Sequence, residues 1–293
     1  MDSRPWHIVP LLALAFLTAC DNTIDPVVDD GTHAFAITGY LDMGADTQFV
    51  RIAALRQPEP SASTPVPRSV VTTRLSTHEI VVWQEASASA GDVSSAGGIP
   101  STGEAASRRD HVFFAPFRPA AGASYVIEIR DSGTGALKGF TSVPDAPAIE
   151  IDAPRVFGGD VSQRLAFDGI AEPARVRAAY NLHVGSPQRG ARVEVDYDAR
   201  FYSSAGNRVE IFVPYDLDFE RVRQEVMDRF GGPPIILERM ELTVRALSRE
   251  WLSPATATNI ENGEGFFASV GEFTASWSIA DSTAERIGFD AGP

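Results

Sequence analysis

The feature that most constrains this chain is a two-residue alternation of apolar and polar side chains, in short runs punctuated by glycine, proline and serine. That period belongs to a strand with one buried face. AFAITGYLD, from Ala34, puts Phe35, Ile37 and Gly39 on one face and Ala36, Thr38 and Tyr40 on the other. Gly44-Ala45-Asp46 then reads as a turn and QFVRIAAL as a second strand. RLSTHEIVVWQ reads as another, with Ile80, Val82 and Gln84 opposed to Val81 and Trp83. HVFFAPF and SYVIEIRD follow, the latter turning Tyr125, Ile127 and Ile129 inward. Ser132-Gly133-Thr134-Gly135 is a turn, so LKGFTSV pairs back as a hairpin. Strands at this density with no helix between them predict a β-sandwich of immunoglobulin or transthyretin type over residues 34–147. The Ala/Ser/Gly-rich stretch 86–106 reads as a loop.

Pro144, Pro147 and Pro154 cluster after the last of these strands. Proline cannot donate to a sheet ladder, so the domain junction is placed near residue 147. Residues 148–293 then read as a second β-rich domain. RVRAAYNLHV alternates, and so does RVEVDYDARFYS, with Val193, Val195, Tyr197, Ala199 and Phe201 on one face. The period changes between Asp216 and Phe230. Phe219, Val222, Val226 and Phe230 form a helical stripe, which predicts one amphipathic helix near 217–230. Asp216 or Asp218 is placed to cap it, and Gly231-Gly232 before Pro233-Pro234 stops it. ERMELTVRALS returns to alternation. GFFASVGEFTASWSI reads as a closing strand pair or as one long bent strand.

Ile8 to Leu17, IVPLLALAFL, carries no charge. It has the length of a secretory apolar segment and half of the roughly 20 residues a membrane span needs. Leu17-Thr18-Ala19-Cys20 follows at once and holds the only cysteine. This motif resembles the lipobox of bacterial lipoproteins. The resemblance implies a signal peptide over 1–19, lipidation of Cys20, and a membrane anchor followed by a tether over 20–33. Asp21 bears on sorting: the outer membrane of the cell envelope is the expected location, and in enteric-type bacteria an Asp at that position favours the inner membrane.

Composition narrows the chemistry. A lipidated Cys20 leaves no thiol for a disulfide or a thiolate metal site. Asp and Glu number 39 against 25 Lys and Arg, a net charge of −14. That sign repels nucleic-acid phosphates, so nucleic acid is not an expected partner. Lys138 is the only lysine.

No G-x-S-x-G, H-x-H or H-E-x-x-H pattern occurs, and no glycine-rich phosphate loop ends in lysine. His33, His78, His111 and His183 stand apart in sequence. No catalytic residue, cofactor or metal site is assigned and the chain is not expected to be an enzyme. Glu194, Asp196 and Asp198 share one strand face, where a weak calcium site is the alternative to a solvated acidic face. Trp83, Trp251 and Trp277 read as core residues, with a sugar-stacking platform as the alternative.

One further segment stands out. TATNIENGEGFFASVGEF places Asn259, Glu261, Asn262, Gly263 and Gly265 in a loop before a strand, and Asn262-Gly263 suits a tight turn. With the lipobox, the AFAITGYLD and FVRI opening, and YVIEIRD, it resembles an uncharacterised lipoprotein family of Gram-negative bacteria. Members carry an N-terminal sandwich and an NIENG-type loop, and are often encoded beside TonB-dependent receptors. The resemblance implies a non-enzymatic accessory partner of an outer-membrane receptor or its cargo, with the Asn259–Gly265 loop as an interaction or turn segment. An adhesin-like or structural envelope module is the second expectation, and a hydrolase the third.

Overall fold

Residues 34–55, 66–86, 110–131, 136–232, 234–252 and 259–290 are described in the computed structural model. Cys20, its flanking tether and most of the Ala/Ser/Gly-rich stretch lie outside them. The alternating runs form strands that close around two apolar cores, so the chain is mainly β, with one long helix and two short ones among the described residues.

The first core lies between two sheets. β1 (Phe35–Asp42), β2 (Gln48–Ala54), β6 (Asp110–Ala115) and β5 (Gln84–Glu85) form one end of an eight-stranded sheet. Facing it is a five-stranded sheet in the order β17 (Ile260–Glu261), β8 (Ala136–Ser142), β7 (Ser124–Arg130), β3 (Ser69–Arg74), β4 (Glu79–Val82). Phe35, Ile37 and Leu41 of β1 and Tyr125, Ile127 and Ile129 of β7 are buried between them, on the faces the alternation marks.

RLSTHEIVVWQ is not one strand. β3 ends at Arg74, a turn with His78 at φ 56° reverses the chain, and β4 pairs back on β3. The chain then leaves this sheet at Trp83 and joins the other as β5, while the Trp83 indole stays in the core and donates to Thr72 Oγ1 at 2.8 Å.

The second core packs β12 (Pro173–Val184), β13 (Gly190–Tyr197) and β16 (Ile235–Leu247) against a smaller sheet. That sheet comprises β9 (Ala148–Ile151), β10 (Arg155–Phe157), β11 (Asp160–Asp168), β14 (Tyr202–Ala205) and β15 (Arg208–Pro214). RVEVDYDARFYS also breaks: β13 ends at Tyr197, and Phe201 N–H closes a turn on Asp198 O before β14. The helix α1 (Tyr215–Phe230) ends as expected on Gly231 in the left-handed region, whose N–H bonds Met227 O. Neither Asp216 nor Asp218 caps its start. Asp216 instead accepts the backbone N–H of Val161. A short α2 (Arg249–Leu252) and α3 (Asp281–Ile287) complete the elements.

The closing segment is one strand, β18 (Glu264–Trp277). Its first half runs parallel to β1, from Ala36 opposite Glu264 to Asp42 opposite Val270. Its second half runs antiparallel to β16, from Leu247 opposite Val270 to Met240 opposite Trp277. The stretch 148–293 therefore supplies β17 and half of β18 to the first sheet pair, and Phe267 to the first core.

That sharing has a measurable consequence. A fragment of residues 34–147 leaves one edge of β1 unpaired and a void where Phe267 packs. Loss of a buried Phe costs about 3–5 kcal/mol, out of a typical domain stability of about 5–15 kcal/mol. The fragment should show no cooperative thermal transition by circular dichroism, whereas the chain from residue 34 onward should. Within the intact chain, Gly265 has φ +107°, and a Cβ there would overlap the Ile37 carbonyl. Gly265→Ala should lose at least roughly 1–3 kcal/mol in urea unfolding.

Candidate functional site

The Asn259–Gly265 loop lies where the chain passes from one sheet of the first core to the other. Ile260 and Glu261 pair with Gly139 and Lys138 of β8, and Glu264 opens the pairing with β1. Asn259 Nδ2 donates to Phe140 O at 2.7 Å and also to Phe267 O, tying the two sheets together. Asn262 holds φ 54° and its Nδ2 reaches Ala136 O at 3.3 Å. Gly263 has no room for a side chain against Leu137. Glu261, Asn262 and Gly265 of this group are exposed, while the Asn259 side chain and the Ile260–Glu261 backbone are used in closing the sandwich.

The acidic strand is already partnered. Asp196 accepts from Nε and Nη2 of Arg175, each at 2.8 Å, and Arg177 pairs with Glu194. These contacts hold the Asp196 carboxyl down at about 2, with the Arg175 hydrogen bonds the largest cause. Asp198 points to Arg200 beyond the end of β13. The face is an arginine–carboxylate ladder, extended by Arg192 to Glu241 at 2.6 Å. Among the described residues, no group of three or more His, Cys, Asp or Glu side chains is arranged to hold a metal ion.

Trp83, Trp251 and Trp277 are dispersed. Trp83 sits in the first core, and Trp277 donates to Gln163 Oε1 at 2.9 Å in the second. Trp251 packs edge-on against Tyr40 and Phe266, on the outer face of the large sheet. The histidines are separated too: His111 meets Glu85 at 2.6 Å, while His183 lies 3.6 Å from Glu238.

The structure brings together a group that the alternation does not reveal. Asp218, on the inner face of α1 and 1 % exposed, accepts hydrogen bonds from Tyr180 OH at 2.6 Å and from Tyr197 OH. Next to it, Tyr215 OH donates to Gln163 Oε1, and Trp277 Nε1 lies 3.2 Å from Tyr215 OH. Burial pushes the Asp218 carboxyl above the ordinary range, and the two phenol donors oppose that rise. A sequence signal for it existed. Asp218, Val222 and Val226 are spaced by four, so an acid occupies a core position of the apolar stripe. The group joins α1 to β12 and β13. Its phenol hydroxyls and indole N–H bond to Asp218 Oδ2 and Gln163 Oε1 within the group, as a structural buried network requires.

Other side chains remain open to solvent. The β10–β11 hairpin turns through Gly158 and Gly159, at φ 64° and 109°, and leaves Phe157 87 % exposed at its tip. Val156 and Leu217 are exposed as well, and the Val161–Asp216 hydrogen bond brings the base of this hairpin to the first turn of α1. On the first core, β4 exposes Ile80 and Val82, each 64 %. Among the described residues, no helix is long and apolar enough to cross a membrane.

No family model matches the chain, and no curated protein matches it. Among solved structures, a similar chain is the Yersinia pseudotuberculosis adhesin InvE, at 11 % identity and a TM-score of 0.21. The match covers 85 % of this chain and 59 % of that one, so this chain spans less than two thirds of the adhesin's length.

The buried carboxylate gives a pH test. Because the folded state raises the Asp218 pKa, folded protein binds the proton more tightly than unfolded protein does. Its contribution is therefore most favourable below the ordinary Asp value and is lost as pH rises through the folded value. Asp218→Asn should flatten this part of a stability-against-pH profile measured by urea unfolding. Tyr180→Phe leaves the carboxylate one donor short and should cost about 1–3 kcal/mol near neutral pH.

Proposed function

We propose that this protein is a lipid-anchored, non-enzymatic lipoprotein of the bacterial envelope, tethered through Cys20. In this reading it serves as an accessory binding partner of an outer-membrane TonB-dependent receptor or of its cargo. The observation that carries the reading is the path of β18. At about 3.3 Å per residue, the strand runs roughly 40 Å from Glu264 to Trp277. Residue 34, where the tether joins, enters beside Glu264. Trp277 lies in the second core, within hydrogen-bonding reach of Gln163 and Tyr215, a few residues from the Phe157 hairpin. One continuous ladder thus holds an exposed aromatic tip well away from the point of tethering. Such a layout suits display toward a partner.

The reading also rests on the lipobox and the NIENG-type loop. The outer membrane is the expected destination, and Asp21 makes the inner membrane the competing one. Cys20→Ser should move the protein from the membrane pellet to the soluble fraction of lysed cells. Affinity capture of the tagged native lipoprotein from detergent-solubilised envelopes should recover a receptor in stoichiometric amount. Phe157→Ser should lose that partner at unchanged expression and anchoring. Recovery of the lipoprotein alone would set the accessory role aside and leave the adhesin-like module.

A further inference from the structure

We infer that β4 is a self-pairing edge, through which two copies of this chain join their five-stranded sheets across a two-fold axis at Val81. β4 is the last strand of its sheet among the described residues, so one side of its backbone has no strand partner there. The outward groups can be identified. Trp83 N–H donates to Val70 O, and Trp83 is followed back along the ladder by Val81 opposite Thr72. In an antiparallel ladder alternate residues face the partner, so Ile80 and Val82 turn their N–H and C=O groups to the open side.

The side chains agree with the same register. Ile80 and Val82 lie on the outer face and are the most exposed apolar residues of this sheet. Their neighbours on that face are Thr73 and Val71 of β3, then Val126 and Glu128 of β7. If β4 pairs antiparallel with β4 of a second copy about Val81, Ile80 lies opposite Val82 of the second copy and Val82 opposite its Ile80. Those are the residues with outward backbone groups, so each pair exchanges two hydrogen bonds. Val81 meets itself on the axis as a non-hydrogen-bonded pair. Glu79 falls opposite Trp83 of the second copy, so no like charges face one another.

Sliding the register by two residues toward the turn pairs Ile80 with itself and brings His78, at positive φ, opposite Val82. Sliding it the other way places Ile80 against Gln84, which belongs to the other sheet. A single register thus satisfies backbone polarity, side-chain pairing and charge together. Edge strands are normally protected by lysine, proline, a bulge or an inward charge. EIVV has no lysine, proline or bulge within the strand, its single charge, Glu79, stands at the turn end, and both branched side chains on its outer face are apolar.

The register dictates the test. A non-hydrogen-bonded antiparallel pair has Cα atoms about 4.5 Å apart, inside the roughly 4.4–6.8 Å range a disulfide spans. Val81→Cys is introduced into the full chain carrying Cys20→Ser, so that the new thiol is the only one and lipidation plays no part. Under oxidised glutathione it should form a disulfide-linked dimer at least roughly tenfold faster than Val66→Cys, which is more solvent-exposed than the half-buried Val81 but lies off the axis. Ile80→Glu added to Val81→Cys should reduce the rate to that of Val66→Cys while the thermal transition stays unchanged, because Ile80 is a surface residue. Sedimentation velocity of the Cys20→Ser chain should show a species of twice 31.5 kDa that Ile80→Glu removes. Equal cross-linking at Val81 and Val66 with a monomer in sedimentation would overturn the proposal. So would a dimer that survives Ile80→Glu, because that dimer uses another face.

Discussion

Everything in this molecule hangs on the main-chain ladder of β18. Seven of its residues pair with β1 and its second half pairs with β16, so a single run of backbone hydrogen bonds belongs to both cores. The exchange of partners happens at Val270, opposite Asp42 on one side and Leu247 on the other. A parallel neighbour for β1 can come only from a distant part of the chain, because adjacent parallel strands need a long crossover. Here the crossover is the second core itself. The first sandwich is thus finished last, by residues more than 200 positions after its first strand.

Polar chemistry is concentrated where the strand changes partner. Ser269, fully buried, receives Ser248 N–H on its carbonyl and gives its own N–H to Ser248 Oγ. Its hydroxyl donates to Ser142 O at 2.9 Å, and Trp251 Nε1 reaches its carbonyl at 3.1 Å. These side chains replace ladder partners that a sheet bending away from its neighbour withdraws, and an unsatisfied buried amide there would cost about 1–3 kcal/mol. Outside the seam, Arg245 of β16 reaches Asp42 at the end of β1 at 2.5 Å, a charged clasp over the same junction. The Asp218–Tyr180–Tyr197 group does the corresponding work for α1, fixing the helix on β12 and β13 by directed bonds that an apolar contact alone does not provide.

The surface has two kinds of opening. Along β12, β13 and β16 the outer face of the large sheet carries arginine–carboxylate pairs, so an acidic strand that invites a cation by sequence is electrically closed in the fold. Apolar exposure is confined to particular places, among them the Gly-Gly hairpin at Phe157 and the β4 edge at Ile80 and Val82. The two lie on different cores. A tip held at a distance suits contact with another protein, while an edge with self-complementary register suits contact with a second copy.

The sequence by itself determined the local structure wherever the periodicity was unbroken. The inward faces of β1 and β7, the helix over α1 with its glycine stop, and the mainly β character follow from side-chain spacing, because burial of one face is a local property of a strand or helix. It was silent on β9, β10, α3 and the sheet switch at Trp83, where runs are short and a turn such as the one at His78 interrupts a pattern that looks continuous. The tertiary structure alone decided that GFFASVGEFTASWSI is one strand serving two cores. It also made Asn259–Gly265 a seam, placed Asp218 between two tyrosines, and sealed Glu194 and Asp196 with arginines. Each of these depends on which distant backbone or side chain lies opposite, and periodicity records only whether a face is buried, never by what.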